Sequence, residues 1–154
     1  MTDAVPRAVV DAFYEAFVAR DAQQLEPFLH DDVVWTISGP VEVLSYWGTH
    51  RCKAAVLDLI VRVVPSQFRI VSFVRETILV EGDRVAMLNR RSARRITDGR
   101  VISYRVAHFL RFQGDKVIEN LSLLDSFDAA EQVLGYSLAR HESLPVVQGD
   151  LVAV

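Results

Sequence analysis

Three Gly/Asp dipeptides restrict the fold of this chain more than any other feature. Gly82-Asp83, Asp98-Gly99 and Gly114-Asp115 stand at nearly even intervals in its second half. They separate four extended segments, about 67–81, 84–97, 100–113 and 116–126, rich in β-branched and aromatic residues. Gly supplies left-handed backbone, and Asp hydrogen-bonds its own turn, so each dipeptide can reverse the chain tightly. Consecutive strands joined this way must be antiparallel neighbours. The second half is thus predicted to be a four-strand meander.

The first half has a different period. Val9, Val10, Phe13, Phe17 and Val18 recur at helical spacing, and Pro6 suits the start of a helix. Asp21 is placed to cap a second short helix that buries Leu25, Phe28 and Leu29. The run HDDVVWTIS reads as a strand, ended by Gly39-Pro40. No period emerges from Val41 to His50. A third helical stripe, Ala55, Val56, Leu59, Ile60 and Val63, is predicted to stop at Pro65. A last helix from about Asp128 to Leu134 ends at Gly135, a suitable C-terminal residue. Helices followed by a meander define an α+β fold. Three amphipathic helices need one concave surface, so the sheet is expected to curve around them.

Length and composition narrow the function. The 154 residues fit one domain, 1–135, with 136–154 as a C-terminal extension. At 51% hydrophobic residues the chain can bury a core without staples. No apolar run approaches the roughly 18 residues of a membrane span. The N-terminal stretch has acids at Asp3 and Asp11 and no apolar signal segment, so a cytoplasmic protein is expected. The net charge of −3 argues against a nucleic-acid partner. Cys52 is the only cysteine, and neither metal-ligand spacing nor a glycine-rich phosphate loop is present. A cofactor-free protein without a metal is expected. Of 17 basic residues 15 are Arg, and five of these fall between Arg90 and Arg100. Most of that cluster reads as a solvated strand and turn, although Arg suits anion recognition.

Strand alternation suggests which side chains face inward. In the third long strand Tyr104, Val106, His108, Leu110 and Phe112 share one face, on which His108 is the one titratable imidazole. Arg105, Ala107, Phe109 and Arg111 share the other. In the second, Ala86, Leu88, Arg90 and Ser92 share a face. In the last, simple alternation joins Val117, Glu119, Leu121, Leu123 and Asp125. An inward His beside a strand ending in Asp would give an apolar pocket an acid/base pair. Asp125, followed by Ser126 and Asp128, also has the pattern of a helix cap, and a buried His can be an ordinary core residue.

The chain to about Gly135 resembles the SnoaL-like, ketosteroid-isomerase-like superfamily of the nuclear transport factor 2-like fold. The stretches that carry the resemblance are LEPFLHDDVVW, YWGTHRCKAAV, VEGDRVAMLNRRS and VAHFLRFQGDKVIENLSLLDSFDAAEQVLG. Cys52 stands where the family usually has Gly. The resemblance implies a cone-shaped, mostly antiparallel mixed sheet wrapped around three N-terminal helices, with a short C-terminal helix. It also implies a deep apolar pocket and a homodimer formed through the sheet. Compared with the steroid isomerases, Ile37, Phe13 and His108 stand where the base, the phenol and the oxyanion-hole acid fall. Compared with the epoxide hydrolases, Arg90 and Asp125 match two members of an Asp-Arg-Asp set, and Ser92 replaces the third. The polyketide cyclases match best, with Asp125 as acid/base and His108 beside it.

The expected function is therefore cofactor-free proton transfer, of aldol or isomerase type, on a small apolar carbonyl compound. Asp125 and His108 are its expected catalytic pair. Arg90, Tyr14, Phe17, Trp35, Trp47, Tyr104, Val106 and Leu123 are the expected ligand contacts. Two alternatives stand beside it: a binding or dimerisation module without chemistry, and water activation on an epoxide by Arg90 and Asp125. Ala107, Phe109, Phe73 and Leu79 are assigned to the outer, dimer-forming face of the sheet.

Overall fold

The computed structural model of the chain describes residues 4–138, so the expected extension lies almost wholly outside the described residues. Helix α1 (Arg7–Ala19) starts after Pro6 and buries Val10, Phe13, Ala16 and Phe17 along one stripe. Asp21 caps the short α2 (Ala22–Leu25), accepting hydrogen bonds from the backbone N–H groups of Gln23 and Gln24. A 3₁₀ turn (Glu26–Phe28) leads into β1 (Leu29–Ile37), and β2 (Gly48–Arg51) pairs back on it. The stretch without a clear period thus holds a short strand.

The third helical stripe forms α3 (Lys53–Asp58), a π-helical turn (Leu59–Val63) and α4 (Val64–Gln67) in one run. It continues past Pro65, where the sequence predicts a stop. In the π turn the Val64 N–H bonds the Leu59 carbonyl, five residues back. Pro65 then falls in the first turn of α4, where a missing N–H costs little.

The meander forms as predicted: β3 (Phe68–Glu81), β4 (Arg84–Arg95), β5 (Val101–Gln113) and β6 (Lys116–Leu124), with α5 (Ser126–Leu134) after it. Gly82, Gly99 and Gly114 each take a positive φ at the reversals. The sheet order is β2-β1-β6-β5-β4-β3. All neighbours are antiparallel except β1 and β6, which run parallel; about half of the chain lies between them, long enough for the crossover a parallel pair needs. The six strands form an open sheet, and the helices cover its inner face. The inner row of β5, Tyr104 to Phe112, is buried as its alternation predicts.

Alternation fails on β6. Arg111 pairs with Glu119 and Phe112 with Val117, so Ile118 is one residue too many. That bulge inverts the rest of the strand. Asn120 and Ser122 point in and are buried, while Leu121 and Leu123 point out. A bulge between Ile70 and Ser72 similarly turns Phe73 inward, whereas Leu79 stays outside as expected.

Candidate functional site

Between the helices and the inner face of the sheet lies a partly enclosed cavity of about 50 Å³. This exceeds the ~15 Å³ a water needs but falls well short of the ~300 Å³ of a drug-sized pocket. It therefore fits a small group, or one end of a larger molecule. Phe17 and Arg20 reach it from the end of α1, Trp35 and Ile37 from β1, and Tyr46 and Trp47 from the loop before β2. Leu59, Ile60 and Val64 come from the helix above. Phe73, Arg91, Tyr104, Val106, His108, Ser122 and Leu124 come from the sheet. Gly39 makes room for the indole: a Cβ there would lie 2.2 Å from the Trp47 ring.

His108 is 6% exposed and sits edge-on to Phe17, with ring centroids 5.6 Å apart. Asn120 Nδ2 donates to Ser122 Oγ at 2.9 Å, and Ser122 Oγ lies 2.9 Å from His108 Nδ1. Having accepted from Asn120, Ser122 has one hydrogen left to give to Nδ1. That direction assigns the remaining ring proton to Nε2. Nε2 is buried without a protein partner. Burial, opposed by Asn120 but reinforced by the Arg91 and Arg20 charges, pushes His108 down to about 4. The ring is therefore a neutral N–H donor near neutral pH.

The polar end of the cavity holds two guanidinium groups. Arg91 is 8% exposed; its Nη1 donates to the Tyr104 hydroxyl at 3.0 Å, while Nε and Nη2 are buried without partners. Arg20 Nη1 donates to the Ile60 carbonyl at 3.0 Å, and its Nε has no partner. The π turn explains this contact, since the N–H that would reach Ile60 belongs to Pro65 and does not exist. Burial first, and the Arg91 charge second, hold Arg20 down at about 10. The Tyr46 hydroxyl is buried without a partner, and burial pushes its phenol up. Among the described residues no carboxylate lines this cavity.

The structure brings together His108, Phe17, Trp35, Trp47, Tyr104 and Val106, and it separates four other expected residues. Asp125 is exposed, lies on the far side of the β6 bulge and caps α5 by accepting from the Asp128 N–H. The expected Asp125–His108 pair is not formed. Arg90 is exposed on the outer face and bonds Glu76 Oε1 at 2.9 Å, so the epoxide-hydrolase-like Arg90–Asp125 pair is absent as well. Leu123 is 43% exposed, and its neighbour Leu124 takes the lining position. Tyr14 packs on Phe73 and under the Arg75 guanidinium, outside the lining. Arg91 was detectable, because Val85, Met87, Asn89, Arg91 and Ala93 alternate with the outer set. Ser122 and Asn120 were hidden by the bulge, and Arg20 by its left-handed backbone at the end of α1.

An open, curved six-strand sheet covered by helices is the nuclear-transport-factor-2-like class of fold. The chain belongs to the SnoaL-like domain family, whose model matches residues 10–120. It is similar to a candidate isomerase from Rhodopseudomonas palustris, 30% identical over 82% of this chain and 96% of that one, with a TM-score of 0.76. An NTF2-like protein from Burkholderia thailandensis is 20% identical over 84% and 97%, with a TM-score of 0.72. An LEH-like epoxide hydrolase from M. tuberculosis is 16% identical over 83% and 88%, with a TM-score of 0.66, a likeness of fold alone. No curated protein matches the chain. No helix among the described residues is long and apolar enough to cross a membrane.

Proposed function

We propose that this chain is a cofactor-free small-molecule protein that polarises the carbonyl group of an apolar compound and so promotes isomerase-type proton transfer. The observation that carries the reading is His108 Nε2, a buried ring nitrogen without a protein partner at the wall of an aromatic cavity, to which the Ser122 contact at Nδ1 leaves the ring proton. A carbonyl oxygen placed there accepts that hydrogen bond. Water at the open side of the cavity takes the proton from the carbon next to the carbonyl and later returns one to the isomerised or exchanged carbon. While the proton is away, negative charge builds on the oxygen, and the donor stabilises it most when it is greatest. Ser122 and Asn120 hold the imidazole in the donating tautomer. Phe17, Trp35 and Trp47 exclude water and accept the apolar body of the ligand. The candidate isomerase among its relatives supports the class of chemistry. The proposal includes a cytoplasmic location and a homodimer through the outer face of the sheet.

A small aromatic 1,3-dicarbonyl compound, incubated in D₂O, tests this by NMR of its exchanging C–H. The wild type is expected to speed exchange about 10²-fold over His108→Gln. Its kcat/KM should stay level from pH 8 to about 5, because His108 stays neutral until near 4. An inflection near 6.5 would refute the neutral donor. Equal exchange in both proteins, with binding retained, would favour the second reading: a binding module without chemistry. That reading draws on the absence of a carboxylate base among the described lining residues.

A further inference from the structure

We propose that the Arg20–Arg91 end of the cavity is an anion subsite, so that the ligand carries a carboxylate or a similar oxyanion. The proposal rests on reading this cavity as a small-molecule site and is independent of proton transfer at His108.

Most of the described arginines have found partners that Arg91 lacks. Arg90 and Arg105 share Glu76, Arg95 and Arg100 share Asp98, and Arg111 pairs with Glu119. Arg91 and Arg20 are more deeply placed, yet no carboxylate among the described residues reaches them. Burying a cation without a counter-charge is costly, and two such cations also repel each other. Three of their N–H-bearing nitrogens are orphaned: Arg91 Nε, Arg91 Nη2 and Arg20 Nε. The Tyr46 hydroxyl beside them is orphaned too. An oxyanion is the group that accepts from all of these, and guanidinium forks match its geometry.

The backbone adds an independent observation. Arg20 closes α1 at φ 54° and ψ 35°, a left-handed position that favours Gly or Asn. The chain keeps a long cationic residue where a small one would be relaxed. Its guanidinium is then held by the carbonyl that Pro65 leaves open at Ile60. The remaining surface of the cavity is aromatic and aliphatic, so the anion is expected at one end of an apolar molecule.

Equilibrium binding of benzoate and of its neutral isostere benzamide, read by quenching of Trp35 and Trp47 fluorescence, tests the subsite. Acetate and inorganic phosphate serve as further arms. The wild type at pH 7 and low salt is expected to bind benzoate at least tenfold more tightly than benzamide. Acetate competing with benzoate identifies a carboxylate site, and phosphate competing better identifies a phosphate site of the same chemistry. Arg91→Met should erase the preference, and Arg91→Lys should retain part of it. A second readout uses no variant: benzoate should move the His108 titration upward in NMR, because it neutralises the cations beside the ring. Equal binding of benzoate and benzamide would overturn the anion subsite while sparing the cavity. If neither compound bound, nor acetate or phosphate, the small-molecule reading itself would fall.

Discussion

Cys52 holds φ 72° and ψ 152°, in a region that residues other than Gly almost never occupy. It is exposed, makes no capping hydrogen bond and precedes α3, where the sequence resemblance already places Gly. Strain of this kind costs roughly 1–3 kcal/mol, and Gly gives back about 0.5–1 kcal/mol through its freer unfolded chain. Cys52→Gly is therefore expected to stabilise the fold by about 1 kcal/mol, visible as a few degrees in a thermal melt. Cys52→Ala keeps the Cβ and should leave the melt unchanged. A C52G protein that melts lower would mean that this backbone is unstrained. Arg20 is the other non-glycine residue with positive φ among the described residues, and the contrast is informative. Cys52 does nothing visible in return for its strain, whereas Arg20 places a charge in the cavity.

At the scale of elements, the β6 bulge decides which residues form the site. One extra residue, Ile118, turns Ser122 toward His108 and sends Leu123 outward. Asp125 then begins α5, with its carboxylate on the Asp128 N–H at 3.1 Å. Removing such a cap costs about 1 kcal/mol. Asp125→Ala should lower stability by that amount and speed amide exchange in the first turn of α5. Asp125→Asn should restore most of the loss, and both variants should bind small carboxylates as the wild type does. A collapse of binding in D125A with α5 intact would return Asp125 to the site. The case marks the limit of strand periodicity. Period-2 alternation located His108 correctly because β5 is regular through Tyr104, Val106 and His108. It misplaced Leu123 and Asp125 because a bulge leaves no mark in hydrophobicity: Val117 and Leu121 are both apolar on either register. The Gly/Asp reversals were legible because their backbone chemistry is local. The π turn was not, since it depends on how Pro65 is accommodated within a helix that the cavity and Arg20 both contact.

For the whole molecule, the open question of surface lies on the outer face of the sheet. Leu79, Phe109, Leu121 and Leu123 are 67%, 47%, 37% and 43% exposed there. Leu79, Phe109 and Leu121 line a shared outer groove, bordered by Arg84, Arg111, Glu81 and Glu119. An apolar centre with a charged rim of both signs is self-complementary, so a two-fold axis can set each Arg against a Glu of its partner. A stable pair needs roughly 800 Å² buried on each side, which a face of four long strands can supply. The dimer is expected to weigh twice the chain mass by light scattering at micromolar concentration. Its melting temperature should rise with protein concentration. Phe109→Glu combined with Leu121→Lys places charges at the centre of the contact and should yield a folded monomer with the His108 cavity intact. A wild-type chain that scatters as a monomer would refute this interface. In that case the exposed leucines and Phe109 would behave as an unprotected patch, and the protein should aggregate as its concentration rises.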